Sequence, residues 1–145
     1  MGTRRKSREL AMQMLFQGDL GKQKPEEVER LFWASREDVD EETRGFANDL
    51  HLLAAQREEE IDAMIQKHAQ NWRLERMPVV DRNLLRSAVA EMLGYPRTPA
   101  AVIINEALEI ARRYAAPESI QFLNGVLDAV GRELLESRLR GKRGT

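Results

Sequence analysis

The amino-acid sequence predicts an all-α protein, with six or seven helices in two packed three-helix-type bundles. Apolar residues return at intervals of three and four along nearly the whole chain. Pro25, Pro99 and Pro117 stand where helices would start, and no segment alternates apolar and polar residues with the period of a strand. The 145 residues fit one domain, 1–145, with an N-terminal helical subdomain over 1–72 and a C-terminal one over 73–145. At 42% hydrophobic and 32% charged the composition is that of a globular protein, and no apolar run approaches the roughly 18 residues of a membrane span. The N-terminus carries Arg4, Arg5, Lys6 and Arg8 without an uninterrupted apolar stretch after them, so it does not read as a secretory signal and a cytoplasmic location is expected.

Thr3 is a candidate N-cap for a first helix built on Leu10, Ala11, Met14 and Leu15, whose end Gly18 and Gly21 weaken. The cations at its start oppose the helix dipole, which calls for an anion nearby, such as a phosphate. Pro25 opens a short second helix with a stripe of Val28, Leu31 and Phe32 beside Trp33, ending near Ser35. A third stretch begins around residues 40–43, where Glu41 and Glu42 favour the positive end of the dipole. It carries Phe46, Ala47, Leu50, Leu53 and Ala54, then Ile61, Met64 and Ile65, with a kink expected at residues 56–58. Trp72 closes this half and, like Trp33, is expected to anchor packing.

Beyond Leu74, Met77 and Pro78, Val80, Leu84, Ala88 and Met92 form one helical row and Leu85, Val89 and Leu93 a second. Two adjacent rows are too wide for one exposed face, so this helix is expected at the centre of the molecule. Gly94 and Pro96 stop it. Pro99 then begins a helix with Val102, Ile103, Ala107, Ile110 and Tyr114, and Pro117 one with Phe122, Val126, Val130 and Leu134.

Catalysis has little to stand on. There is no cysteine, only His51 and His68 far apart, no HExxH and no phosphate loop, so neither an enzyme nor a metal or other cofactor is expected. The carboxylates Glu58 to Glu60, and Glu106 with Glu109, read as solvated helix surface. Charge is segregated: residues 26–62 hold thirteen acidic residues against four arginines, a net of −9, which leaves +8 for the rest of a chain whose total is −1. The basic groups are the N-terminal cluster and Arg138, Arg140, Lys142 and Arg143, the latter read as a solvated tail. Asn105, Asn124 and Gly125 interrupt apolar helical patterns. Close helix approach is the expected reason for Gly125, while Asn124 suits either an RNA edge or a neighbouring helix end. Phe16 follows the basic cluster and suits either a stacked base or the core.

Four segments in order, RRKSRELAMQMLFQ, Trp72 with VDRNLLRSAVAEML, INEALEIARRYA and FLNGVLDAV, resemble the NusB family across nearly the whole chain. The resemblance implies a non-enzymatic, all-helical factor of transcription antitermination. Such a factor binds the boxA RNA of ribosomal RNA leaders together with NusE, a small-subunit ribosomal protein, in an antitermination complex on RNA polymerase. By position it assigns RNA contacts to Arg4, Arg5, Lys6, Arg8, Phe16, Glu118, Phe122 and Asn124, with Phe16 where the family often has tyrosine. It assigns partner contacts to Asp81, Arg82 and Arg86. Some similar proteins self-associate, and self-association is compatible with this sequence. Two rivals stand beside this reading. One is an RNA methyltransferase carrying such a domain, which needs a cofactor-binding domain that 145 residues do not hold. The other is a helical protein–protein adaptor without RNA contact, using the acidic segment 26–62.

Overall fold

A computed structural model describes residues 3–143; the side chains of Lys142 and Arg143, and with them the outer half of the C-terminal basic group, lie outside the described residues. Seven α-helices follow one another: α1 Thr3–Gly21, α2 Pro25–Ala34, α3 Glu41–Gln56, α4 Glu58–His68, α5 Val79–Gly94, α6 Ala100–Tyr114 and α7 Ser119–Arg143, with a short 3-10 turn at Leu74–Arg76. The described residues contain no strand, and no helix among them is long and apolar enough to cross a membrane.

Local chemistry sets the helix ends. α1 runs through Gly18, where a Cβ would stand only 3.2 Å from Val28 Cγ2, so the missing side chain lets α2 close onto α1. The helix then stops with Lys22 in the left-handed region (φ 51°) and the Gln23 amide donating to the Gly18 carbonyl, the Schellman arrangement. Pro25 occupies the first turn of α2, where its missing N–H costs nothing. Asp40 caps α3 by accepting from the Thr43 amide at 2.8 Å, and that bond holds the Asp40 carboxyl below its usual range. The expected kink between α3 and α4 is a full break at Arg57, whose amide still donates to Leu53 while its carbonyl starts the next helix at Ile61.

α5 occupies the centre, packed against α1, α3, α4, α6 and α7. Leu84, Leu85, Ala88, Val89 and Met92 are all buried, which realises the two-row pattern. The main core joins this helix to Ile103, Ala107 and Ile110 of α6 and to Leu123, Val126, Leu127 and Val130 of α7, and draws in Met12, Ala54, Ile61 and Ile65 from the first half of the chain. The helices therefore regroup at Arg57, since α4 packs on α5 and α7, ahead of the division expected near Trp72. A smaller cluster of Leu10, Met14, Val28, Phe32, Trp33 and Ala47 ties α1, α2 and α3 together.

Several expected core residues are not in the core. On α2 the buried face is Val28, Phe32 and Trp33, with Leu31 turned outward; Trp33 Nε1 donating to Asn48 Oδ1 of α3 at 2.7 Å fixes that rotation. Val102 and Tyr114 lie at the rim of α6, and Trp72 is 58% exposed and no packing anchor.

Leu85 has no exposed surface and lies where α5 meets its neighbours. Leu85→Ala should lower unfolding free energy in urea by about 2–5 kcal/mol, whereas Leu135→Ala on the exposed side of α7 should change it by less than about 0.5 kcal/mol.

Candidate RNA and partner interface

The basic start of α1 is two different things. Arg4 and Lys6 point to solvent: the Arg4 guanidinium lies 3.8 Å over the Phe46 ring, and Lys6, 52% exposed, is 3.8 Å from Glu9. Arg5 and Arg8 turn inward. Arg8 makes a two-pronged pair with Glu91 of α5 (2.8 and 2.7 Å), and Arg5 an equivalent pair with Glu106 of α6 (3.1 and 2.6 Å); Arg8 also approaches Glu106 at 3.4 Å. Glu91 is 2% exposed, so its charge is tenable only with a fixed cation beside it. The hydrogen bonds and charge of Arg5 hold the Glu106 carboxyl below the usual carboxylate range, against the opposing effect of burial. The anion that the misplaced cations of α1 called for is thus supplied, for these two arginines, by the chain itself. One turn on, buried Glu9 accepts from the Tyr114 hydroxyl at 2.6 Å and from Arg113 at 2.8 Å, a further tie between α1 and α6.

The far end of α1 is tied as firmly. Asp19 accepts from Arg82 (2.6 and 3.0 Å), Asn83 (2.9 Å) and Arg86 (3.1 Å), all on α5. Burial raises the Asp19 carboxyl, but these donors outweigh it and the net displacement is downward. Arg86 also grips Asp62 of α4 with two bonds at 2.8 and 3.0 Å. The resemblance assigned Arg82 and Arg86 to a partner; in the structure both cross-link helices and keep only part of their surface. Asp81 is 3% exposed, and burial pushes its carboxyl up while a hydrogen bond from Ser119 draws it back. The partner contact that the resemblance assigns to Asp81 thus falls on a buried side chain, next to Arg82 whose surface is partly open.

Phe16 is half-buried and belongs neither to the main core, nor to the cluster around Phe32, nor to a third one of Ala11, Phe46 and Leu50. Glu118 lies exposed in the turn before α7, Phe122 is half-buried one turn into that helix, and Asn124 is exposed. The Phe122 ring meets that of Trp72, edge-on at 6.1 Å. Gly125 has open space where a Cβ would stand, which corrects the expectation of close helix packing there, and Asn105 is exposed. Among the described residues no group of His, Asp or Glu is arranged to hold a metal ion.

A profile of the NusB family matches residues 5–132. The chain belongs to the NusB family. The transcription antitermination protein NusB of Koribacter versatilis (strain Ellin345) is 64% identical over 133 residues, which cover 92% of this chain and 91% of that protein. Among solved structures, the NusB of T. maritima superimposes with a TM-score of 0.81 at 32% identity, covering 90% of this chain and 91% of that one. A crystal structure of the antitermination factors NusB and NusE in complex with dsRNA superimposes with a TM-score of 0.83 at 27% identity, covering 92% of this chain and 98% of that one.

The sequence does not reveal the acidic partners of the arginine cluster in this NusB-family chain. The sequence pattern makes Glu106 solvated surface, yet it holds Arg5; Glu109, its neighbour at i+3, does pair on the surface with Arg112. Glu91 carried a usable signal, because a lone carboxylate between the apolar rows of α5 must be buried and therefore paired.

Arg8→Ala should lower stability by about 3–5 kcal/mol by leaving Glu91 buried and unpaired, whereas Lys6→Ala should change it by no more than about 0.5 kcal/mol. The depressed Glu106 carboxyl has a pH signature. The contribution of its pair to stability is complete above the unfolded value near 4.5 and is lost as pH falls through the lower folded value. Glu106→Gln should therefore show a flatter acid limb in a plot of urea midpoint against pH, differing from the parent at pH 6 and converging with it in acid.

Proposed function

We propose that this protein is a non-enzymatic transcription antitermination factor of the cytoplasm, binding boxA RNA of ribosomal RNA leaders jointly with NusE within an antitermination complex on RNA polymerase. The observation that carries this reading is membership of the family over residues 5–132, together with near-complete superposition on a family member solved with NusE and RNA. In this reading Arg4 and Lys6 supply the phosphate contacts, and Arg5 and Arg8 set the angle of α1 while lending the Arg5 edge that stays exposed. Phe16 offers an apolar ring on the same helix, and Glu118, Phe122 and Asn124 contribute from the start of α7. Arg82 and Arg86 present the partner surface of α5, with Asp81 acting beneath it.

The neutralisation of Arg5 and Arg8 by Glu106 and Glu91 favours a second reading, an adaptor that contacts protein only. A salt titration separates the two. The protein should bind boxA RNA, more tightly with NusE present, with an affinity that falls as salt rises. The double variant Arg4→Ala, Lys6→Ala should lose about 0.7 of logarithmic slope per phosphate contact removed while keeping its melting temperature. An unchanged slope would remove this cluster from the RNA site, and absence of RNA binding with NusE binding intact would establish the adaptor.

A further inference from the structure

Trp72 has been placed by the fold and left uncovered. It stands on the link after α4, and one side chain pins that link: Gln66 Nε2 donates to the carbonyls of Ala69 (3.1 Å) and Trp72 (2.7 Å), while its Oε1 accepts from the Leu74 amide (2.9 Å). The indole, 58% exposed, meets the Phe122 ring at 64°. Beside the two rings opens a cleft of about 280 Å³, lined further by Gln70, Asn71, Gln121 and Gly125 and by His68, which is paired with Glu133. No carboxylate lines it.

Gly125 forms part of the cleft wall. A glycine disfavours a helix interior, and the usual compensation is another helix passing close by. Here nothing lies within 4 Å of where its Cβ would be, so the space it leaves belongs to the cleft. Gly45 and Gly141 are equally open on their helices, but only Gly125 lies in a cleft, where the missing side chain leaves the helix backbone open to a close ligand.

We propose that this cleft takes one unpaired nucleobase of the bound RNA, stacked on Trp72 and seated over Gly125, with its edge met by the neighbouring amides. The proposal rests on the RNA-binding reading above and adds to it a specific pocket and Trp72 as a contact. Asparagine and glutamine donate and accept at once, as base edges do, and an exposed aromatic face beside them is the recurrent way of holding a splayed base. A cleft without carboxylates also leaves an approaching phosphate unopposed.

The test uses the full chain and single-stranded boxA RNA, with NusE binding measured in parallel. Trp72→Ala should weaken RNA binding roughly 5- to 150-fold, the equivalent of about 1–3 kcal/mol of base stacking, with NusE affinity unchanged. Trp72→Phe should restore most of that affinity. RNA should quench the tryptophan fluorescence of the parent protein but not that of Trp72→Phe, whose remaining Trp33 is buried. Gly125→Ala should raise the melting temperature and weaken RNA binding together, a pairing that a merely structural glycine would not produce. If the parent binds RNA and both alanine variants bind it equally well, the pocket is wrong while the RNA reading stands. If Trp72→Ala loses NusE affinity alone, the cleft is a protein contact and the proposal is overturned. If the parent binds no RNA, the reading beneath it falls as well.

Discussion

A buried carboxylate in the last turn of the central helix constrains how the rest of the molecule is assembled. Glu91 lies among the apolar rows of α5 with almost no access to water, where an unpaired charge would be strongly destabilising. The fork of Arg8 answers it, and Arg8 belongs to α1. Glu106 of α6 then sits between Arg8 and Arg5, so two arginines and two glutamates form one ladder across three helices. The four charges sum to zero. What the N-terminal cluster projects into solvent is therefore the field of Arg4 and Lys6, while Arg5 and Arg8 fix where that field points.

The opposite end of α1 repeats the logic with the signs exchanged. There the helix supplies the acid, Asp19, and α5 supplies Arg82 and Arg86, the latter also holding α4 through Asp62. α1 is thus fastened near both ends by ion pairs and between them by Met12 and Met14 in separate apolar clusters. A surface carried on so constrained a rod is preorganised, and recognition by it loses little conformational entropy.

Helix order and the central place of α5 were legible in the sequence because they follow from apolar periodicity and from proline, each acting over a few residues, whereas at residue 57 periodicity showed a kink and not the full break. The rotation of α2 was not: Val28, Leu31 and Phe32 make as good a stripe as the one used, and only Asn48, fifteen residues away, selects Trp33. The arginine cluster was visible as charge, but its division into outward and inward members depends on glutamates 83 and 101 positions distant. Asp81 was visible as an acid on the right helix, and its burial under the start of α7 was not. Gly125 stands out in the sequence as contradicting its surroundings, but whether a helix packs on it or it lies open on the surface depends on neighbours that periodicity does not show.

The central position of α5 also orders events during synthesis. Met12 of α1 and Ala54 of α3 are covered by a core whose main wall is α5, so they stay bare until Gly94 has left the ribosome. The stretch from the end of α3 to the end of α5 takes about 2–8 s at typical elongation rates of 5–20 residues per second. During that interval α1, α2 and α3 are held by the small cluster around Phe32 and Trp33 and by that of Ala11, Phe46 and Leu50. The nascent chain therefore presents an apolar face of defined composition for a defined time, and the acidic residues crowded into 26–62 keep that half-made domain charged and apart from its neighbours on the same message.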